Sequence, residues 1–229
     1  MIPVELKSVR LQTLLSNITN IFYTGQIRDI SQSIRDPKPD ELMPDLHPTS
    51  KEYLERAFTL PLREFGFPRR QKGFGMAEST CPPQYYEVTQ TVRKMSGRIG
   101  EFLGTPIQAL IMSYPDNGWM GWHHNGNAHG YNILLSYSQD GDGVFKFYDY
   151  EKQEISFLQD NPGWNARVGY FPDQRKEPKR VYWHSVDTAK QRVTLAWVLN
   201  HKSMWLSMIN EITNGEYDKE RIENQGPLR

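Results

Sequence analysis

Two histidine segments carry the residues best suited to chemistry in this chain. The first reads Gly121-Trp122-His123-His124-Asn125-Gly126. The second reads Tyr182-Trp183-His184-Ser185-Val186, and Arg192 follows His184 by eight residues. Side chains at i and i+2 of a strand point to one side. His123 and Asn125 are therefore expected to share a face, with Trp122 and His124 on the other. A distant strand can return His184 to the same spot. Two imidazoles and an oxygen donor on one triangular face suit non-haem iron(II) and its oxygen chemistry. Arg192 stands between apolar residues, where a buried charge needs a partner. Its planar fork suits a carboxylate, as on a dicarboxylate cosubstrate. The third donor is the weak point. An amide brings only a dipole to a dication, so metal affinity is expected to fall below that of a carboxylate site.

Strands must position these groups. Short apolar runs appear after Gly104: Ile107–Tyr114, Met120–His124, Tyr131–Tyr137, Val144–Tyr150, Glu154–Leu158, Ala166–Phe171, Val181–Ser185 and Arg192–Leu199. Turn residues punctuate them at Asp116-Asn117-Gly118, Asp140-Gly141-Asp142-Gly143 and Asn161-Pro162-Gly163. Runs at this spacing suggest a sandwich or jelly-roll barrel. Upstream, Leu11, Leu14, Leu15, Ile18, Ile21 and Phe22 give helical spacing within residues 5–35, which Asp36-Pro37-Lys38-Pro39-Asp40 ends. A short helix is expected after Ser50 as its cap. Residues 66–83 read as loop. Residues 84–103 read as a helix with Val88, Val92, Met95, Ile99 and Phe102 on one face. Residues 201–213, with Trp205, Leu206, Ile209 and Ile212, read as a terminal helix, and the tail beyond Gly215 is expected to fray. The expected class is α+β. Residues 1–104 form a helical support, 105–200 the β core, and 201–229 a helix and tail, in one compact domain.

Composition narrows the function classes. The chain has 229 residues, with 27 Lys+Arg against 27 Asp+Glu, so its formal net charge is zero. That argues against a surface built throughout for phosphate backbones and leaves nucleic acid a weak option. A single cysteine, Cys81, excludes an intramolecular disulfide framework and fits a reducing compartment. No apolar run of about 18 residues suggests a membrane span, and Met1–Lys7 lacks a signal-peptide pattern. A soluble cytoplasmic protein is the expectation. Six Trp, twelve Tyr and ten Phe suit a ring-lined barrel.

The segment from Gln108 to Asn200 resembles the double-stranded β-helix core of the iron(II)/2-oxoglutarate-dependent dioxygenases. That family's pattern is His-x-Asp/Glu, a second His several tens of residues later, then Arg or Lys on the following strand. This chain offers His123-x-Asn125, His184 at 61 positions beyond His123, and Arg192. The ending His-Ser-Val, then Gln-Arg-Val-Thr-Leu-Ala-Trp, looks like the closing strands of prolyl-hydroxylase-like and AlkB-type members. The resemblance implies iron(II) on His123, His184 and Asn125. It implies 2-oxoglutarate held by Arg192, with Asn132 and Tyr114 as further contacts, molecular oxygen, and ascorbate as an auxiliary reductant. The implied reaction is oxidative hydroxylation coupled to decarboxylation of 2-oxoglutarate to succinate. The substrate is unidentified: a small molecule, a protein side chain or a nucleobase. Trp122, Tyr148 and Trp183 are the expected substrate-pocket wall.

Asn125 departs from the family's pattern and leaves three readings open. The amide oxygen, or a water it holds, completes the site. Alternatively, the missing carboxylate admits an anion, as in halogenating members; a shifted frame, His124-x-Gly126, fits that pattern literally. In the third, the site is degenerate and the barrel serves binding or assembly. His124 and His129 are expected on the solvent side or in a substrate loop, and Asp187 in a connecting turn. Asp116 is a turn former that could lend a carboxylate. The basic runs at 69–72 and 175–180 read as solvated loops that could flank a pocket mouth.

Overall fold

A computed structural model describes residues 1–23, 38–76, 86–126 and 128–227. The expected first helix beyond Tyr23, the lone Cys81, and the side chains of Phe22 and Val88 lie outside the described residues.

All eight expected strands form: β4 (Gln108–Tyr114), β5 (Gly118–His123), β6 (Gly130–Ser138), β7 (Gly143–Asp149), β8 (Glu154–Gln159), β9 (Gly163–Phe171), β10 (His184–Thr188) and β11 (Arg192–Leu199). The seventh starts later than its apolar run suggests. A 3-10 turn at Pro178–Arg180 and a bond from Trp183 N to Val181 O keep residues 178–183 out of the ladder. Three short strands were not expected: β1 (Ile2–Val4), β2 (Gln71–Lys72) and β3 (Phe74–Gly75). The helices are α1 (Val9–Tyr23), α2 (Lys51–Ala57), α3 (Tyr86–Phe102), α4 (Lys202–Thr213) and α5 (Lys219–Glu223). The last lies in the tail expected to fray; Asp218 caps it, accepting from Arg221 N at 3.0 Å.

Two antiparallel sheets result. The larger runs β1-β9-β6-β11-β4-β3 and the smaller β2-β5-β10-β7-β8. From β4 to β11 the chain alternates between sheets, except at the β7–β8 hairpin. That order is consistent with a jelly-roll core.

Period-two alternation sets which side chains face which layer. On β11, Val193, Leu195, Trp197 and Leu199 join Leu11, Leu15 and Ile18 of α1, Ile99 of α3, and Trp205 and Ile209 of α4 in one buried cluster. The helices therefore cover the outer face of the larger sheet. A 15-residue helix such as α1 is marginal alone; burial of its apolar stripe holds it. The smaller sheet's outer face is covered differently, by Met43, Tyr53, Leu54, Ala57 and Phe65 packed on Trp122, Val181 and Trp183. Ser50 caps α2 as expected, accepting from Tyr53 N at 3.1 Å. Between the sheets lie Met1, Met112, Tyr114, Met120, Phe145, Phe171 and Val186. The Met1 amino group donates to the Tyr182 hydroxyl. No helix among the described residues is long and apolar enough to cross a membrane.

One irregularity matters for the site. His184 pairs with His123 and Val186 with Met120, so β5 spends three residues where β10 spends two. This bulge lets Met120 and His123 both face the interior while Trp122 joins the outer cluster. Gly121 sits in the bulge because a Cβ there would meet Pro48 Cβ at 2.8 Å.

Candidate metal centre

His123 ends β5 and His184 begins the neighbouring β10, with ring centroids 4.1 Å apart. Each Nδ1 donates to a backbone carbonyl two residues earlier. His123 uses Gly121 O at 2.8 Å, and His184 uses Tyr182 O at 2.7 Å. These bonds fix both tautomers and leave the lone pair on each Nε2, the arrangement a metal ligand needs. Phe145 stacks on His184 at 5.4 Å and Phe171 lies 5.1 Å away. Burial lowers the His123 pKa to about 4. It lowers His184 well below its usual value, and neighbouring His123 adds to the effect. Both rings are neutral at neutral pH.

Asn125 lies beside this pair, its Nδ2 3.4 Å from His184 Nε2. Strand alternation does not bring it there, contrary to the sequence expectation. β5 ends at His123, and Asn125 holds left-handed backbone at φ 50°. Its carbonyl accepts from Ala128 N at 2.8 Å, closing a turn. Asparagine tolerates this conformation better than most residues. Among the described residues, no group of three or more His, Cys, Asp or Glu is placed to hold a metal.

His124 is fully buried rather than solvent-facing. Its Nε2 bonds Leu62 O at 2.9 Å, its Nδ1 accepts from Gly126 N at 2.9 Å, and its ring meets Trp183 edge-on at 5.1 Å. Both nitrogens are engaged away from the pair, so the His124-x-Gly126 frame gains no support. Asp116 lies at the other end of β5, where its Oδ1 accepts from Gln191 N at 2.9 Å. Asp187 is on β10, not in a turn; it pairs with Lys146 and accepts from Thr49 Oγ1 at 2.9 Å. His129 is half-exposed, 3.8 Å from Asp173.

Arg192 is buried at the start of β11, on the face opposite the helix-packing residues. Its Nε donates to Asp160 Oδ2 at 2.6 Å and its NH1 to Thr194 Oγ1 at 2.5 Å. Asp160 also accepts from Arg167 NH2 at 2.6 Å, and Arg167 NH1 donates to Ser136 Oγ at 3.1 Å. Arg167 Nε has no hydrogen-bond partner among the described residues. Burial alone would raise the Asp160 carboxyl; the two guanidiniums, Arg192 first, outweigh it and hold the pKa below its ordinary value. Gly143 makes room for the pair, since a Cβ there would run into Asp160 Oδ2 and lie 2.7 Å from Arg192 Nε. Tyr114 is Arg192's register partner on β4, with its ring 5.9 Å from the guanidinium; burial raises its pKa to about 12. Asn132 is not beside Arg192. Along β6, Arg192 pairs with Ser138 and Val198 with Asn132, which places the two near opposite ends of the ladder. The Asn132 amide bonds Gly130 O at 2.9 Å.

The sequence reading missed Asp160 and Arg167. Asp160 stands before Asn161-Pro162-Gly163 and reads as a turn former. Arg167, between Ala166 and Val168, carries the same signal as Arg192. Three aromatics expected to wall a substrate pocket belong elsewhere. Trp122 and Trp183 are core of the outer cluster, and Tyr148 packs against it. Trp122 Nε1 donates to Ser50 O at 2.9 Å, and Phe58 lies edge-on to Tyr148 and Trp183 at 5.0 and 5.5 Å. The basic runs are tied into ion pairs as well. Arg69 meets Asp40 at 2.8 Å and Glu64 at 3.1 Å, Arg175 meets Asp173 at 3.0 Å, and Arg180 meets Glu177 at 2.5 Å.

No protein-family model matches the chain, and no curated protein sequence matches it. Solved structures to which it is similar include a dioxygenase for auxin oxidation from rice. That likeness is at 15% identity over 84% of this chain and 69% of that one, with a TM-score of 0.36. A prolyl hydroxylase from Trichoplax adhaerens, in complex with a hypoxia inducible factor peptide fragment, is 14% identical over 88% and 97%, with a TM-score of 0.32. A prolyl-4-hydroxylase from Pseudomonas putida is 11% identical over 58% and 73%, with a TM-score of 0.29.

Proposed function

We propose that this protein is an iron(II)- and 2-oxoglutarate-dependent oxygenase that hydroxylates a substrate still to be identified. The observation that carries the reading is the histidine pair: two buried, neutral imidazoles 4.1 Å apart, each with its tautomer set by a backbone carbonyl. The donor set fits iron(II) in two positions and weakly in the third. Rotating the Asn125 amide half a turn brings its oxygen to where Nδ2 now lies, 3.4 Å from His184 Nε2. Bound iron and 2-oxoglutarate would supply the oxidation, with succinate and carbon dioxide as by-products. His123, His184 and Asn125 hold the metal. Phe145 and Phe171 shield His184 from water. Arg192 takes the far carboxylate of the cosubstrate, beside Tyr114 and Thr194. Asp160, Arg167 and Arg192 bring one negative and two positive charges together, so a ligand carboxylate would balance the three.

The Asp160 carboxylate also favours a second reading. Arg192 already holds an internal anion, as it would in a barrel that binds or assembles without catalysis. An anaerobic iron(II) titration with and without 2-oxoglutarate separates the two. The oxygenase reading expects the visible metal-to-ligand charge-transfer band of a chelated keto acid. That band should vanish in His184→Ala and demand more cosubstrate in Arg192→Ala. Its absence at saturating iron and 2-oxoglutarate leaves the non-catalytic barrel.

A further inference from the structure

The dipeptide Asn-Gly occurs at Asn117-Gly118, Asn125-Gly126 and Asn214-Gly215. In this pairing the glycine nitrogen attacks the preceding side-chain amide most readily, because glycine has no side chain to hinder the approach. All three asparagines hold left-handed backbone, at φ 54°, 50° and 53°. Local conformation therefore does not distinguish them, but the partner of each glycine N–H does. Gly118 N donates to Pro115 O at 2.9 Å and Gly215 N to Asn210 O at 2.9 Å. Gly126 N donates instead to His124 Nδ1 at 2.9 Å. A backbone carbonyl is a poor base; an imidazole nitrogen is a far better one, even with burial lowering the His124 pKa. The bond from His124 Nε2 to Leu62 O holds the ring with its lone pair on that N–H.

We propose that Asn125 is a self-deamidation site, through which the chain acquires the carboxylate its metal position lacks. In the first step the Gly126 N–H proton passes to His124 Nδ1 and the nitrogen bonds Asn125 Cγ. The Cγ–Nδ2 bond breaks, the proton moves from His124 to the departing nitrogen, and ammonia leaves a succinimide. Water then opens the ring, and nothing is oxidised or reduced. Opening at the side-chain carbonyl leaves an aspartate on an unaltered backbone. Opening at the backbone carbonyl leaves an isoaspartate. Asn125 is only half-buried, which gives water a route. The amide end already faces His184 Nε2 at 3.4 Å, so a carboxylate formed there stands at the third metal position. The consequence for metal binding rests on the reading under Proposed function; the chemistry of conversion does not.

The test incubates the full metal-free chain at neutral pH, digests it, and follows the amide-to-acid mass gain at the three sites. Position 125 should convert at least about 100-fold faster than 117 and 214, the low end of what a positioned base supplies. The lead should vanish in urea and in His124→Asn, which keeps an acceptor near Gly126 N but no base. Conversion at 125 no faster than at 117 and 214 in the native chain overturns the proposal, whatever His124→Asn does to folding. The charge-transfer titration of Asn125→Asp is read separately. A band there without conversion in the parent chain defeats this proposal and keeps the oxygenase reading. Conversion without a band does the reverse.

Discussion

The two ends of the barrel interior bury polar groups in opposite ways. At the histidine end, β5 and β10 present two neutral rings whose lone pairs are directed by backbone bonds, with one amide beside them. At the arginine end, charge is answered by charge: Asp160 bridges Arg167 and Arg192, and Ser136 and Thr194 take further guanidinium protons. The first end holds no charge, only two directed lone pairs and an amide. The second already holds one anion between its two cations, so a ligand carboxylate arriving there joins that anion or competes with it. Uncharged rings tolerate burial without a counter-ion, whereas guanidiniums do not.

The largest consequence falls at the arginine end. Asp160→Ala leaves two buried cations facing each other and should cost about 3–5 kcal/mol, measured by urea unfolding. A benign Asp160→Ala would erase the difference between the two ends. At the histidine end the pH dependence comes next. His123 is neutral in the fold with a pKa of about 4, against 6.5 unfolded, so the unfolded chain binds more protons between those values. The stability involved is fully present above pH 6.5 and is lost as pH falls toward 4, about 3 kcal/mol from this group. His184 acts in the same direction. Asp160, held below the ordinary carboxylate range, behaves in a separate and more acidic window. Urea unfolding of the metal-free chain across pH should show the upper window flatten in His123→Gln, with the lower one unchanged. Asn125→Asp should tighten iron(II) by about tenfold, or about 1.4 kcal/mol, read by the anaerobic titration. Smallest at the metal position is the effect of Trp122→Phe. Losing the bond to Ser50 O and leaving a void should cost about 2–3 kcal/mol of stability and leave the iron titration where it was, since that ring lies outside the barrel.

The strands were legible because their apolar runs are short and bounded by Asn-Gly and Asp-Gly turns, and the helices because α1, α3 and α4 each bury one face on the larger sheet. His123 and His184 were legible from spacing. What escaped depends on pairing at a distance. β2 and β3 are two-residue strands that exist only because β5 and β4 lie beside them. Alternation places Trp122 on the face opposite His123, and the structure keeps it there, in the outer cluster and not on a pocket wall; the bulge that turns Met120 inward with His123 is invisible in a single strand's pattern. Asp160 looked like a turn residue because nothing local shows that two arginines, 7 and 32 positions away, converge on it.

That bulge has a consequence for how this protein can change. Met120 and His123 both face inward, with Trp122 outward, because β5 carries one residue more than its partner between them. Deleting Gly121 would restore plain alternation and leave the imidazole inward and the indole outward, whereas deleting Trp119, where the pairing is regular, would shift the register of the strand's first residues. Point substitutions can wander through this strand one side chain at a time. Length changes fit only at the bulge, so lineages descending from such a chain should vary the residue count there and keep it fixed in the regular part of the strand.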